Sequence, residues 1–254
     1  MQWITNILLR FTYKYFRKLR TKKVFTGKVT FECDFNSEDE LNDKFLTIDN
    51  EFYNVKPILF TKECVKIIPE GLKILCIKEA GFATTWQRAD IYNYKTGCIR
   101  TWDRKNGGFS QIGGTWVVNA IFPETWAALW LLQERHLVDN KYHITPEIDF
   151  AENNGNIENV VHYGYDKFLY ATKGKLAKMH KPDGKMHEYA VEILPNGYKF
   201  YLDGYLVNKF TSKDKEFVFE SEKYLIINNA VKSFNMADYS EFIIKNVKCY
   251  ENTR

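Results

Sequence analysis

Pro146-Glu147-Ile148-Asp149-Phe150-Ala151-Glu152 places three carboxylic acids among apolar residues, directly before a polar loop at residues 153–156. Side chains alternate between the two faces of a strand, so Glu147 and Asp149 share one face while Ile148 points into a core. Strict alternation turns Glu152 away from that face. We predict a β-bulge at residues 150–151, because one extra residue re-aims Glu152 to the face of the other two acids.

Three carboxylic acids on one short surface favour general acid and base catalysis. Like charges a few ångströms apart raise the pKa of at least one group, which keeps that group protonated near neutral pH. A protonated acid beside an ionised one is the pair that cleaves glycosidic bonds, and the two carboxyl groups stand about 5 Å apart in enzymes that retain the sugar's configuration. An acidic, solvated strand edge has the same spacing, so both interpretations stay open on spacing alone.

Residues 147–152 resemble the active-site signature of glycoside hydrolase family 16, which contains laminarinases, lichenases, agarases and carrageenases. The resemblance continues in the family's order through most of residues 24–250. Its further parts are similar to a Trp-Pro-Ala-Phe-Trp-Leu-Leu segment at 126–132, a Val-His-x-Gly strand at 161–164, a His-x-Tyr-x-x-Glu segment at 187–192, a Phe-Tyr-x-Asp-Gly turn at 200–204 and a Leu-Ile-Leu-Asn-Leu-Ala-Val strand at 225–231.

This resemblance implies an all-β fold, a concanavalin A-like jelly-roll sandwich of two curved antiparallel sheets with a concave glycan cleft. It implies that Glu147 is the nucleophile, that Glu152 is the general acid and base, and that Asp149 orients the nucleophile. The implied activity is that of an endo-acting, retaining β-glycosidase that hydrolyses a polysaccharide, either a β-glucan or a galactan. A carbohydrate-binding or adhesive protein without turnover and a transglycosylase stay open as alternatives. The bulged motif favours hydrolysis, because the transglycosylating plant branch typically lacks the extra residue.

Sugar recognition needs aromatic planes for the C–H faces of the ring and planar polar groups for its hydroxyls. Residues 84–94 and 102 are rich in both, although each residue taken alone fits the framework better than a ligand role. The resemblance adds two tryptophans and one asparagine, and Trp130 can also be a core residue because leucines surround it. His162 is predicted either to bond a carboxylate or a sugar hydroxyl, or to be structural. The substrate-binding candidates are Trp86, Arg88, Asn93, Trp102, Trp126, Trp130, His162 and Asn228.

The sequence departs from the family pattern beside the expected cleft. Val117 and Asn119 stand where the family usually carries Glu and Arg, and residues 232–234, Lys-Ser-Phe, replace a usual Gly-Gly and Trp. We therefore expect altered cleft walls, and the polysaccharide and its linkage stay open. Lys245 stands where many members carry an Asp that holds calcium, and a cation there repels Ca²⁺. We predict neither a metal nor a cofactor.

Length and composition favour a single domain at residues 24–254. A chain of 254 residues with 16% aromatic content suits one β-sandwich. The net charge of +4 is small and the basic residues are spread along the chain, which is not typical of nucleic-acid-binding modules. Five cysteines, an odd number without a C-x-x-C pair, predict buried thiols rather than a disulfide framework or a zinc site. His136 and His143 are predicted to be loop residues.

Residues 1–23 form a basic arm that differs from the rest of the chain. Apolar residues recur there at helical spacing among many Arg and Lys residues. The apolar run is too short to span a bilayer, and the charges follow it, unlike in a signal peptide. The arm is predicted to lie on a membrane or a partner protein, or to pack on its own domain or remain a partly ordered tail. Without a convincing signal peptide, an extracellular or virus-associated location is only an expectation, and the oligomeric state stays open.

Turn signals divide the remaining chain into strands. Residues 64–68 and 72–77 are predicted to form a hairpin around a Gly-containing turn, and residues 115–122 to form a strand. Asn196-Gly197 and Asp203-Gly204 predict two type I′ turns on either side of a short strand at 198–202. Further strands are predicted at 217–219, 224–228 and 242–250.

Overall fold

The computed structural model of the protein describes residues 21–53, 56–133, 147–162, 177–211, 222–232 and 237–251. Residues 1–20 of the predicted arm, the loop histidines 136 and 143, and the predicted strand at 217–219 lie outside these described residues. No helix in the described ranges is long and apolar enough to cross a membrane.

Strands make up most of the described chain, with one short α-helix, α1 (Glu38–Lys44), and one 3-10 turn (Lys62–Cys64). The strands are β1 (Val29–Cys33), β2 (Leu46–Thr47), β3 (Glu51–Phe52), β4 (Ile58–Phe60), β5 (Val65–Ile68), β6 (Gly71–Thr84), β7 (Ala89–Thr96), β8 (Cys98–Arg100), β9 (Trp102–Asp103), β10 (Gly107–Gly108), β11 (Gly114–Ile121), β12 (Ala128–Gln133), β13 (Glu147–Asn153), β14 (Ile157–His162), β15 (Ala177–His180), β16 (His187–Leu194), β17 (Gly197–Leu202), β18 (Tyr205–Thr211), β19 (Lys223–Asn228) and β20 (Tyr239–Tyr250).

These strands form two large sheets in the described part of the chain. The cleft sheet has seven strands in the order β15-β14-β13-β12-β19-β8-β2. The outer sheet has eleven: nine in the order β18-β17-β16-β11-β20-β6-β7-β4-β3, with β1 beside β20 and β5 beside β6. Both neighbours of β13 run antiparallel to it. The all-β sandwich prediction is confirmed.

The two sheets bury one hydrophobic core between them. Alternation along β12 points Leu129 and Leu131 into this core, where they join Phe150 of β13. Trp116 and Phe242 enter the same core from the outer sheet. The alternate residues of β12 and β13 therefore face away from the core, on the other surface of the cleft sheet.

A β-bulge interrupts β13 at the predicted place. Asp149 pairs with Val160 of β14, whereas Glu152 pairs with Glu158, so residues 150–151 lie opposite a single residue. The register against β12 shifts at the same point. Because the side-chain period of a strand is two, this one extra residue places Asp149 and Glu152 on the same face.

One of the two predicted turns has the predicted geometry. Asp203 and Gly204 have φ values of 52° and 78°, as a type I′ turn requires. The prediction for Asn196-Gly197 is wrong. Leu194 pairs with Gly197, so the turn lies one residue earlier, at residues 195–196, and Pro195 cannot adopt a positive φ. Gly197 opens β17, and a Cβ there would lie 2.0 Å from the Phe210 carbonyl oxygen.

The predicted hairpin at 64–77 is present as β5 and β6, and the strand predicted at 115–122 is β11. The five cysteines are all buried and none forms a disulfide, as predicted. Lys23 at the end of the arm contacts the outer sheet, with its ammonium 2.8 Å from a carboxylate oxygen of Glu192.

Candidate active site

The three carboxylates of β13 line one open cavity of about 490 Å³ on the cleft sheet. Glu147 is partly exposed, whereas Asp149 and Glu152 are buried. The bulge gathers them there, while Ile148 and Phe150 remain in the core. The cavity has the size of an ordinary ligand site, and polar groups converge on it.

His162 on β14 lies opposite Glu147 and contacts two of the acids. Its Nε2 is 2.9 Å from an oxygen of Asp149 and 3.9 Å from an oxygen of Glu147. Burial raises the pKa of Glu147 to about 8, and the charge of Asp149 adds to this shift. Burial also raises the pKa of Asp149 to about 6, although the hydrogen bond from His162 opposes the rise. That same hydrogen bond raises the pKa of His162. Glu147, Asp149 and His162 therefore influence one another's pKa, and their titrations are coupled.

Glu152 is held by three donors. The indole N–H of Trp126 and the side-chain amide of Asn154 donate to its two oxygens. The ammonium of Lys232 lies 3.3 Å from the oxygen that Trp126 contacts. Lys232 also donates to Asn154 and lies 3.7 Å from the centre of the Trp126 ring. The far side of the cleft from Glu147 therefore carries a positive charge in contact with an aromatic plane.

Buried amides fix the short loop that carries Trp126. Asn153, the last residue of β13, donates to the carbonyls of Pro123 and Thr125. Thr125 donates to Asn229 just after β19. The backbone of the loop that carries Trp126 is thus anchored to the strand that carries Glu152, which favours the hydrogen bond between these two side chains.

Trp130 and Asn228 form the floor of the cavity. Both line it, and the indole N–H of Trp130 donates to the Asn228 side chain at 2.8 Å. Of the two interpretations of Trp130, the core residue is wrong, because alternation along β12 sends the neighbouring leucines inward and Trp130 outward.

Residues 124–232, which include β13 and its neighbours, match the family model of glycosyl hydrolases family 16. This segment belongs to glycosyl hydrolases family 16. The resemblance stated from the sequence is confirmed. Comparison with curated proteins gives no match.

Solved structures share the fold of this chain over nearly its whole length. The catalytic domain of an endo-1,3-β-glucanase (laminarinase) from Thermotoga petrophila is 17% identical, with a TM-score of 0.72, and the match covers 91% of this chain and 100% of that one. A laminarinase from a Flavobacterium species is 21% identical, with a TM-score of 0.69, covering 88% and 100%. A structure from work on endo-acting O-glycanases, with which human gut bacteria initiate mucin breakdown, is 20% identical, with a TM-score of 0.72, covering 91% and 94%. These likenesses confirm the jelly-roll sandwich.

Five of the eight predicted substrate-binding residues fall at or directly beneath the family 16 cleft. Trp126, Trp130, His162 and Asn228 line it. Trp102 lies just below, buried in an apolar cluster with its ring 5.5 Å from that of Tyr224. It supports the cleft floor and is not part of its surface.

The remaining three candidates do not line the cavity. Arg88 stacks on Phe52 and pairs with Asp90, so its guanidinium is used within the framework. Asn93 is exposed on the opposite face of β7 from the buried Tyr92. Trp86 is 79% exposed at the β6–β7 turn and contacts Glu51 at the cavity rim.

The sequence did not single out the wall formed by β3, β4 and the β6–β7 turn. Glu51, Tyr53 and Gln87 line the cavity from this side. Tyr53 packs edge-on against Trp126, with ring centres 5.4 Å apart. No local motif marks these residues, because they reach the cleft only through the pairing of distant strands.

The raised pKa of Glu147 predicts a gain in stability on its neutralisation. Protonated Glu147 contributes stability that is fully present below about pH 4.5 and is lost as the pH rises through about 8. At about pH 8.5, the free energy of unfolding of Glu147→Gln in urea should therefore exceed that of the unmodified protein by on the order of 1–2 kcal/mol. At about pH 4.5 the two proteins should be equally stable. The same change at Glu241, whose pKa is lowered by bonds from Tyr239 and Lys73, should give no gain. An equal gain at both pH values for Glu147→Gln would contradict the assignment.

Proposed function

We propose that the protein is an endo-acting, retaining β-glycan hydrolase. The observation that carries this proposal is the bulge in β13, which gathers Glu147, Asp149 and Glu152 in one open cleft. An acidic solvated edge would leave these groups in water, whereas Asp149 and Glu152 are buried, Asp149 beside the imidazole of His162 and Glu152 accepting hydrogen bonds from Trp126 and Asn154. Burying several acids side by side is costly and is typical of sites that use them.

In the proposed reaction Glu147 attacks the anomeric carbon and the bond to the leaving sugar breaks. Glu152 gives its proton to the departing oxygen, and the glycosyl group is then bound to Glu147 through an ester. In the second step Glu152 takes a proton from water as the water attacks, and free Glu147 is restored. Asp149 and His162 hold the orientation of Glu147.

The proton on Glu147 must leave before the proposed reaction can begin. Glu147, with its pKa near 8, holds a proton at neutral pH, whereas Glu152 lies against the ammonium of Lys232. Attack needs an ionised Glu147 and a protonated Glu152. Glu147 must therefore lose its proton before it attacks, and Lys232 must move away from Glu152 before the leaving sugar can approach that group. A bound sugar that displaces Lys232 from the Trp126 ring would remove this ammonium from the cleft.

The neighbouring structures favour a β-1,3-linked glucan as substrate. Several of them are described as laminarinases or endo-β-1,3(4)-glucanases. The floor formed by Trp126 and Trp130 offers aromatic planes of the kind on which neutral sugar rings stack. The cavity is open to solvent, as internal cleavage of a long chain requires.

Lys232 should weaken the binding of neutral substrates. Its ammonium covers the Trp126 ring on which a sugar would stack, and the contact must break first. Lys232→Ala should therefore lower KM for laminarin by roughly threefold to tenfold, the equivalent of a cation–π contact of about 1 kcal/mol. Lys56→Ala, which removes an ammonium 5.3 Å from the same ring, is the matched control and should change KM less. A higher KM for Lys232→Ala would show that Lys232 binds the substrate.

Lys232 also favours one alternative, a protein that binds glycans without turnover. Its ammonium occupies the space beside the proposed acid and covers the Trp126 ring, where a sugar undergoing cleavage would have to lie. A panel of laminarin, mixed-linkage glucan, agarose, carrageenan and mucin separates the two functions. Hydrolysis predicts new reducing ends and oligosaccharides of several sugars, which mass spectrometry in H₂¹⁸O identifies by incorporation of the label. Binding to one of these glycans without any product would overturn the proposal, and unlabelled longer chains would indicate transglycosylation.

A further inference from the structure

A second cluster of ionisable side chains lies where β15 ends and β16 begins. His180 is the last residue of β15, His187 is the first of β16, and Asp183 lies in the connection between them. One ligand atom from each of these three residues lies within 4.8 Å of the others. They belong to neither the carboxylate group of β13 nor the walls of its cavity.

The distances suit a small tetrahedral ion. Nε2 of His187 is 3.3 Å from both oxygens of Asp183. Zinc bound at about 2.0–2.1 Å in a tetrahedron separates its ligand atoms by roughly 3.3 Å. The rings of His180 and His187 lie 4.6 Å apart at an angle of 54°, which keeps both imidazoles within reach of an ion beside Asp183.

Neighbouring groups already orient the two imidazoles as they do around bound metals. Asp203 lies 3.0 Å from Nδ1 of His187, which leaves Nε2 as the ligand atom. The Lys181 carbonyl lies 2.6 Å from Nδ1 of His180, which likewise leaves Nε2. That Nε2 is 2.9 Å from the Tyr189 hydroxyl, which must turn away when a cation takes its place.

We propose that His180, Asp183 and His187 form a zinc site, separate from the carboxylate cleft and independent of the proposed hydrolysis. Two imidazoles and one carboxylate are the ligands that Zn²⁺ prefers, and water completes the tetrahedron. Calcium and magnesium bind oxygen ligands instead and do not fit two nitrogens. Because β15 belongs to the cleft sheet and β16 to the outer sheet, the ion ties the two sheets together at one edge.

The spacing His-x₂-Asp-x₃-His is not among the familiar zinc signatures. The prediction of no metal from the sequence therefore did not consider these three residues. The alternative is a hydrogen-bonded cluster that holds the two sheets together without an ion. The two possibilities differ in what added zinc does to the protein, which makes them separable by experiment.

The test uses the full chain, freed of metal by a chelator and titrated with ZnCl₂ in a calorimeter. We expect one ion bound per chain with a dissociation constant in the micromolar range or below. Zinc at about a hundredfold excess over that constant should raise the unfolding temperature by roughly 5 °C. Co²⁺ in place of zinc should give the strong visible absorption of a tetrahedral site, and CaCl₂ should change nothing.

Two variants locate the ion. Asp183→Asn and His180→Gln should each weaken zinc binding at least tenfold and abolish the temperature rise. Asp238→Asn is the matched control, because it removes an exposed aspartate from a surface ion pair elsewhere, and it should bind as the unmodified protein does. The proposal is overturned if zinc does not bind, or if Asp183→Asn binds it unchanged, which would place the ion elsewhere, for example at Glu147, Asp149 and His162.

Discussion

Glu147→Gln should reduce kcat/KM on laminarin by about 10⁵-fold or more. Glutamine keeps the shape of the side chain but cannot form the ester with the sugar, so both steps of the reaction fail. The loss corresponds to about 7 kcal/mol of barrier lowering, at 1.4 kcal/mol for each factor of ten. Initial rates on laminarin, with reducing ends as the readout, measure the effect.

Two controls make this result specific. Glu241→Gln changes the same atoms at an ion pair with Lys73 on the outer sheet and should keep activity within about twofold. Glu147→Ala with sodium azide and an activated aryl β-glycoside should form the α-glycosyl azide, because azide enters the space from which the carboxylate attacks. If Glu147→Gln loses only about tenfold, this side chain is not the nucleophile.

Glu152→Gln should lower activity on laminarin by about 10³- to 10⁴-fold, the usual contribution of general acid and base catalysis. The amide keeps the contacts with Trp126 and Lys232 but can neither give the proton to the leaving sugar nor take one from water. Rates on laminarin and on a 2,4-dinitrophenyl β-glycoside should be compared for the same variant.

The aryl substrate separates the two roles of Glu152. Dinitrophenolate leaves without a proton, so the first step should stay fast and a burst of dinitrophenol should precede a slow steady state. Azide should accelerate that steady state and give the β-glycosyl azide, the opposite anomer to the one from Glu147→Ala. Equal losses on both substrates without a burst would mean that Glu152 does not act as the acid.

The carboxylate face was predictable because its signal is local. Three acids with spacings of two and three residues fit one face only if a single residue is added between Asp149 and Glu152, and the structure adds it there. The positions of Trp126, Trp130 and Asn228 followed from a family pattern in chain order. Strand alternation then explains why Trp130 faces the cavity while the leucines beside it face the core.

The cleft walls were not predictable in the same way. Tyr53 and Gln87 reach the cavity through the pairing of β3, β4, β6 and β7, and no pattern within either segment reveals that pairing. Conversely, Arg88 and Asn93 have the chemistry of sugar-binding residues but do not line the cavity. Arg88 stacks on Phe52 in the framework, and Asn93 lies on the opposite face of β7 from Tyr92. An aromatic and polar composition identifies a segment near the cleft. Which residues of that segment face the cleft depends on the register of strand pairing.

The reactivity of the five buried thiols can report local unfolding of the chain. Cys33 and Cys249 lie between the two sheets, while Cys76 and Cys98 lie in separate smaller clusters. An alkylating reagent can reach them only when the surrounding packing separates. Mass spectrometry after brief labelling would therefore show which part of the sandwich unfolds locally first. Because the five cysteines form no disulfide, folding of the chain requires no oxidant.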